Sequence, residues 1–402
     1  MTKIAFVTPW YGADIPGGSE TLTRRTAEHL YAAGRDVEIL TTCIKDFYAD
    51  WGKNYHKVGT ERVNDLLVRR FPVEKRNQQA FDAINWRLIN NLSVNQEQEQ
   101  TFIEEMIRTP ALYAYINQHA NDYLFIFIPY MFSTTCFGVQ IHPERSIIIP
   151  CLHDESYLRM GIYRNALSTA RGLIFLADPE VQLAERFLNA ADTQSPPQIQ
   201  QVLGGGVDSD FSYDGERFRQ KYGLDTPFVL YAGRRESGKN TPLLIEYWQR
   251  YLRESGQDVT LVLIGSGSVT LPPTAHHILD LGFVSAQDKY DAFAAADLFC
   301  MPSVHESFSI VIMESWLTGT PVLVHGDCVV TRTHCQRANG GLYFQNYDEF
   351  AATVTYLMDN PAVARQMGKN GRQYVLDNYQ WPTIVEKYRR IIDQIEEGIH
   401  RA

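Results

Sequence analysis

Short apolar runs alternate with amphipathic stretches along most of the chain. Lys3–Thr8 predicts a strand, the apolar stripe in residues 19–33 predicts a helix, and residues 37–41 predict the next strand. Continuous apolar strands such as residues 146–152 are typical of a parallel sheet that is covered on both faces. The first part of the chain therefore predicts β–α–β units.

The second half of the chain repeats this alternation. Its apolar runs of strand length are residues 228–232, 259–264, 278–283, 298–301, 322–324 and 342–344. The two halves meet at a glycine-rich connector, residues 204–208. This pattern predicts an α/β fold with two Rossmann-like domains facing each other across a cleft. We predict a first domain in residues 1–204, a second in 205–378 and a C-terminal helix in 379–402.

Residues 45–120 are less regular, and their pattern predicts a mainly helical insertion in the first domain. A capping box formed by Ser93 and Gln96 is expected to open a helix that continues to Arg108, and Pro110 begins a further helix. Two interpretations stay open for this insertion. It serves either as a lid or acceptor-side element, or as a plain structural cover.

Composition limits the class of protein. The 402 residues are 45% hydrophobic and 21% charged, which is typical of a soluble globular protein with two domains. No apolar run approaches the length of a membrane span. The net charge of −10 argues against nucleic acid as a partner. The six cysteines form no CxxC pair, so we expect buried thiols in a cytoplasmic protein, with at most peripheral contact at the inner membrane face.

Two carboxylates lie eight residues apart between consecutive apolar strands. Glu306 is expected in a loop or first helical turn, and Glu314 two turns further along the helix. Carboxylates beside an apolar surface need partners, and sugar hydroxyls are good candidates. The alternative interpretation is an amphipathic helix with a solvated acidic edge.

Other polar positions follow predicted strands. Arg234 stands at a strand end with Lys239 five residues later, a pair suited to a pyrophosphate. Gly17 and Gly18 precede a helix, where backbone amides attract anions, and a tight turn is the alternative interpretation. We find no paired-carboxylate loop motif and no His/Cys cluster, so the sequence implies no metal.

These features together resemble the family 4 glycosyltransferases, which are retaining enzymes of GT-B fold. The residues that carry the resemblance are Gly17-Gly18-Ser19-Glu20, His153-Asp154, Gly206-Val207-Asp208, Gly233-Arg234 with Lys239, Gly265-Ser266-Gly267, and Glu306 with Glu314 followed by Gly319-Thr320-Pro321. The chain departs from the family pattern at Gly205, where the family usually has asparagine.

The resemblance implies a role for each matched position. Glu314 would bind the ribose hydroxyls of a nucleotide-sugar donor, and Glu306 would hold the donor sugar near its anomeric carbon. His153 would contact that sugar from the first domain, and Arg234 and Lys239 would stabilise the leaving diphosphate. Further donor-binding positions are Gly17, Gly18, Gly265, Phe283, Val284, Ser307, Phe308, Ser309 and Ile310, with Phe283 and Val284 lining the base. The last helix would cross back onto the first domain.

The implied reaction is metal-independent transfer of a hexose, with retention at the anomeric centre and departure assisted by the phosphate itself. The donor would be a UDP- or GDP-sugar, and no other cofactor is expected. A saccharide, a lipid-linked saccharide and a small molecule all stay open as acceptors. Two alternatives keep the fold: a nucleotide-sugar epimerase, which would isomerise its donor without an acceptor, and a non-catalytic nucleotide-sugar-binding protein.

Overall fold

The chain consists of two compact units. The structure, a computed structural model, describes residues 2–188, 197–271 and 277–401, with side chains to residue 398. Residues 1–206 and 381–402 form the first unit, and residues 207–380 form the second. Each unit contains one sheet with helices packed on it, which confirms the predicted α/β class with two Rossmann-like domains.

The first unit is built on an eight-stranded sheet. Its strands are β1 (Lys3–Thr8), β2 (Val37–Thr42), β3 (Gly59–Val63), β4 (Leu66–Phe71), β5 (Tyr123–Phe127), β6 (Ser146–Ile148), β7 (Gly172–Phe175) and β8 (Ile199–Val202), in the order β3-β4-β2-β1-β5-β6-β7-β8. All neighbours are parallel except β3 and β4. The strand order turns at β1, which pairs with both β2 and β5.

Helices cover this sheet. They are α1 (Gly18–Ala32), α2 (Gln78–Ile89), α3 (Gln96–Glu104), α4 (Pro110–Gln118), α5 (Ser133–Gly138), α6 (Gly161–Thr169) and α7 (Asp178–Leu188). Strands β2 and β5 are buried at every residue, because the sheet has apolar helices and loops on both faces.

The prediction of a mainly helical insertion was incomplete, because residues 45–120 also contain β3 and β4. Strand β3 is an exposed edge strand without an apolar run, and β4 carries Arg69 and Arg70 inside it. Arg70 is buried because its guanidinium donates to the carbonyl oxygens of Tyr11, at 2.8 Å, and Thr42, at 3.5 Å. Partners distant in sequence therefore permit a buried cation that the local pattern excludes.

The predicted helix start in the insertion was also wrong. Asn95 and Gln98 form the capping box, not Ser93 and Gln96, and the helix ends at Glu104 instead of residue 108. Both residue pairs have the spacing of a capping box, so spacing alone does not choose between them.

The second unit is a six-stranded, fully parallel sheet. Its strands are β9 (Phe228–Ala232), β10 (Thr260–Ile264), β11 (Ile278–Gly282), β12 (Leu298–Met301), β13 (Val322–His325) and β14 (Gly341–Phe344), in the order β11-β10-β9-β12-β13-β14. Its helices are α8 (Gly215–Tyr222), α9 (Thr241–Ser255), α10 (Ala286–Ala295), α11 (Ile310–Leu317), α12 (Val329–Ala338), α13 (Tyr347–Asp359) and α14 (Pro361–Asn378).

The last helix, α15 (Trp381–Arg401), belongs to the first unit, as predicted. The Trp381 ring stacks on His29 with centroids 4.1 Å apart. Buried Arg35 pairs with Asp393 at 3.3 Å and Glu396 at 3.0 Å. Gly206 lies against the Trp381 ring so closely that a Cβ atom would overlap it, which explains the glycine of the Gly206-Val207-Asp208 motif.

We expect Arg35→Met to lower the free energy of unfolding of the first unit by about 2 kcal/mol, because it leaves two carboxylates without their common partner. Urea denaturation followed by circular dichroism would measure the change. Arg390→Met is the matched control, since Arg390 lies on α15 with a side chain 76% exposed and pairs only locally with Glu386. Equal effects of the two substitutions would contradict this account of how α15 is held.

Candidate functional site

The loops that follow β9 and β12 are joined at the carboxyl edge of the second sheet. Lys239 Nζ donates to Glu306 Oε1 at 2.6 Å, and Asn240 Nδ2 donates to the carbonyl oxygen of Pro302 at 3.2 Å. Strands β9 and β12 are neighbours in the sheet, so residues 67 positions apart meet here. The structure therefore brings together a cation and a carboxylate that the sequence marked independently.

Arg234 lies on the same β9 loop. Its carbonyl oxygen accepts a hydrogen bond from Tyr231 Oη at 2.6 Å, and burial raises the pKa of Tyr231, so the phenol stays a donor. The Arg234 guanidinium is 3.3 Å from Glu236 Oε1, and 40% of the side chain is exposed. Arg234 and Lys239 therefore both have carboxylate partners within the protein, which keeps the loop close to neutral.

The loop after β12 ends in a strained residue. Ser309 has a φ of 65°, in the left-handed region, directly before α11 begins. Its side chain is buried, and among the residues that the structure describes its Oγ has no hydrogen-bond partner. Phe308 is buried against His334 and Tyr379 and fixes the loop from behind. A buried hydroxyl beside the free amides of a helix N-terminus is a set of donors suited to an anion.

Glu314 lies inside α11, and Glu306 lies in the loop before it. Glu314 Oε1 accepts hydrogen bonds from Lys289 Nζ at 2.6 Å and from Tyr290 Oη at 3.4 Å. Its side chain is only 10% exposed. The two carboxylates of the pair are therefore each bound by a different lysine, Lys239 for Glu306 and Lys289 for Glu314.

Glycine lets three loops of the second unit pack backbone against backbone. Gly265 has a φ of 116°, and a Cβ atom on it would overlap the carbonyl oxygen of Gly233. Gly265 N also donates to the carbonyl oxygen of Gly282 at 2.7 Å. Phe283 follows with 79% of its surface exposed, and Val284 is half-buried. This packing explains Gly265, and its expected contact with a donor stays a prediction.

In the first unit, Gly17 makes room for Glu20. Gly17 has a φ of 144°, and a Cβ atom on it would overlap the Glu20 carboxylate. Glu20 accepts hydrogen bonds from Trp10 Nε1 at 2.9 Å and from Ser19 Oγ at 2.9 Å. Gly18 begins α1 with open space at its Cβ position. The structure thus gives Gly17 a local packing reason, and ligand contact by both glycines stays a prediction.

His153 follows the strand β6, and a buried carboxylate holds the residue before it. Glu180, fully buried, accepts hydrogen bonds from the backbone amides of Leu152 at 2.6 Å and Leu176 at 2.5 Å. His153 Nδ1 is 3.6 Å from Glu155 Oε1, and the histidine side chain is 29% exposed. Burial raises the pKa of Glu180 to about 8, and the amide hydrogen bonds act in the opposite direction.

Comparison with known proteins finds a family match within the second unit. Residues 214–374 match the family described as glycosyl transferases group 1. An uncharacterised glycosyltransferase from Methanocaldococcus jannaschii is 23% identical over 414 residues, covering 96% of both chains. The GDP-mannose-dependent alpha-(1-6)-phosphatidylinositol monomannoside mannosyltransferase of Mycolicibacterium smegmatis is 29% identical over 48% of this chain and 56% of its own.

The second unit therefore contains a domain of the group 1 glycosyltransferases. Solved structures agree on the fold. Sucrose-phosphate synthase from Thermosynechococcus elongatus superimposes with a TM-score of 0.71 at 18% identity, covering 99% of this chain and 100% of that one. Anabaena HepE in complex with UDP and glucose gives a TM-score of 0.68 at 17% identity, over 98% and 100% of the two chains. The predicted GT-B fold is thereby confirmed, and the family match and the named relatives support the predicted glycosyltransferase function.

The sequence analysis missed two residues of this group 1 glycosyltransferase domain, Lys289 and Tyr290. Both lie on α10, and they contact Glu314, which is 25 and 24 positions further along the chain. A lysine in an amphipathic helix normally faces solvent, so no local signal marks it. Only the packing of α10 beside α11 reveals the contact.

Two features are absent from the residues that the structure describes. No group of three or more His, Cys, Asp or Glu side chains within them is arranged to hold a metal ion. No helix in the same ranges is both long and apolar enough to cross a membrane.

The buried Glu180 generates a prediction about pH. Its folded-state pKa near 8 lies above the ordinary value of 4.5, so folding favours the protonated form. Its contribution to stability is complete below pH 4.5 and is lost as the pH rises to about 8. In Glu180→Gln this dependence is absent. The free energy of unfolding of the wild type, relative to that of the variant, should therefore fall steadily as the pH rises from 4.5 to about 8. Urea midpoints of both proteins at pH 5, 6, 7 and 8 would measure this change. Midpoints that differ by the same amount at every pH would refute the prediction.

Proposed function

We propose that this glycosyltransferase transfers a hexose from a nucleoside-diphosphate sugar to an acceptor hydroxyl, with retention at the anomeric carbon. The observation that carries the proposal is the β12–α11 loop. Glu306 is bound there by Lys239 and lies three residues before Ser309, whose buried hydroxyl has no hydrogen-bond partner among the described residues. The loop thus offers a carboxylate for a sugar beside donors for a phosphate. UDP and glucose in the HepE complex, and GDP-mannose in the name of the mycobacterial relative, support a UDP- or GDP-sugar as donor.

The leaving group requires cations. As the bond between the anomeric carbon and the β-phosphate oxygen breaks, the departing nucleoside diphosphate gains negative charge. This charge is stabilised by electrostatic attraction to Arg234 and Lys239. The backbone amides of Ser309 and Ile310, at the N-terminus of α11, add hydrogen bonds. Lys239 already binds Glu306 at 2.6 Å, so one ammonium group links the sugar-side carboxylate to the phosphate.

Retention follows when the acceptor attacks from the face that the leaving group vacates. The acceptor oxygen forms its bond to the anomeric carbon, and the acceptor proton passes to the phosphate oxygen whose bond has broken. This step needs no protein nucleophile, and Glu306 stabilises the positive character of the sugar. The contact of His153 with the donor sugar is assigned by resemblance alone.

The proposal is tested by incubating the protein with UDP-glucose or GDP-mannose and a panel of saccharide, lipid-linked and small-molecule acceptors. Nuclear magnetic resonance should show a glycoside with the anomeric configuration of the donor. An inverted product would refute retention. Conversion of the donor to an isomer without any acceptor would instead indicate an epimerase, and binding without turnover would indicate a non-catalytic protein.

Metal independence is the next prediction. Because cationic side chains and helix amides neutralise the diphosphate, donor turnover with excess EDTA should equal turnover with magnesium. Release of nucleoside diphosphate is the measured quantity. Activity that disappears with EDTA and returns with a divalent ion would contradict this mechanism of charge neutralisation.

The two carboxylates should separate kinetically. Glu314 is assigned to the ribose, a contact present in both ground and transition states, so Glu314→Gln should mainly weaken donor binding. Glu306 borders the anomeric carbon, where positive character grows, so Glu306→Gln should lower kcat more than it raises KM. The loss expected for Glu306→Gln is about 2–4 kcal/mol of transition-state stabilisation.

Free nucleoside diphosphate is the control for this pair, because it contains the ribose and no sugar. Its affinity, measured by calorimetry, should fall in the Glu314 variant and stay nearly constant in the Glu306 variant. Two variants that bind and turn over like the wild type would show that the carboxylates only form structural ion pairs with Lys239 and Lys289.

A further inference from the structure

Glu314 has one oxygen occupied by the protein. Both of its donors, Lys289 Nζ at 2.6 Å and Tyr290 Oη at 3.4 Å, reach Oε1. Among the described residues no other hydrogen bond to this side chain is found, so Oε2 is the oxygen that can accept from a ligand. The ion pair therefore uses Oε1 and leaves Oε2 as the acceptor for a ligand.

Lys289 is itself held in place. Its ammonium group lies 4.6 Å from the centroid of the Tyr290 ring, and that ring stacks on Phe211 with centroids 3.9 Å apart. The helix α10 carries both residues and begins two positions after Val284. Val284 belongs to the segment that is assigned to the base. Lys289 thus connects the base-side segment to the ribose carboxylate.

The charge of Lys289 matters for an anionic ligand. A nearly buried Glu314 without a cation would repel a diphosphate and would turn toward water. The ammonium group balances the carboxylate charge and fixes the direction of Oε2. A hydrogen bond contributes most to recognition when its acceptor is already oriented toward the donor. Supporting residues orient the functional groups of binding sites in this way.

We propose that Lys289 is the positioning residue that makes Glu314 recognise the ribose 2′-hydroxyl, so that this enzyme discriminates ribonucleotide from deoxyribonucleotide. This inference rests on the proposed function, in which Glu314 binds ribose. It adds a residue that the family resemblance does not mark, and it assigns the discrimination to a single hydroxyl, read by Oε2.

The test compares each nucleotide with its 2′-deoxy form by calorimetry, using UDP with dUDP and GDP with dGDP. Wild type should bind its preferred ribonucleotide about tenfold or more tightly than the deoxy form, the effect of one charge-assisted hydrogen bond. In Lys289→Met the ratio should fall toward one, and Lys289→Arg should restore most of it. Lys221→Met is the matched control, because Lys221 pairs at 2.8 Å with Asp288, the neighbour of Lys289 on α10. This control should keep the wild-type ratio.

Different outcomes would overturn the inference about Lys289 and the proposed function. Lys289→Met with an unchanged ratio would overturn the inference, even if its melting temperature falls, because a merely structural ion pair affects stability and not discrimination. A wild type that binds neither UDP nor GDP would refute the proposed function itself. Thermal unfolding checks that the variants fold. If Lys289→Met does not fold, Lys289→Gln is measured in the same way and decides the question.

Discussion

Burial of the sheets on both faces is the constraint on which the rest of this structure depends. Strands β5 and β9 are buried at every residue, so polar functional groups have room only where the strands end. In the second unit the strand order turns at β9, whose neighbours are β10 and β12. The loops that follow β9 and β12 diverge from adjacent strands, and Lys239 and Glu306 meet between them at 2.6 Å.

Charge balance is the second organising feature. The two carboxylates assigned to donor binding each have a lysine, which lowers the cost of holding them in a site with little solvent access. Each lysine also balances the negative charge of its carboxylate. Among the described residues, the buried Ser309 Oγ of the β12–α11 loop has no hydrogen-bond partner, and Ser309 has a left-handed backbone. Such local strain is characteristic of ligand-binding loops.

The first unit stabilises its buried charges in different ways. Arg35 is paired with carboxylates on α15, which ties the end of the chain to its beginning. Glu180 is satisfied by backbone amides, and in this way it connects the ends of β6 and β7 directly before His153. Both groups add polar contacts to segments that also pack through buried apolar side chains.

The sequence by itself determined the fold class, the order of nearly all strands and helices, and the segments that carry Arg234, Lys239, Glu306 and Glu314. It could do so because strand and helix periods are local properties, and buried parallel strands are continuous apolar runs. It missed β3, an exposed polar edge strand, and β4, where Arg70 depends on distant carbonyl partners. Only the tertiary structure decided which lysine binds which carboxylate, since Lys289 and Glu314 lie on different helices and no spacing rule relates them. Side-chain pairing across elements depends on sheet order and helix packing, and these are set by the burial of the whole chain.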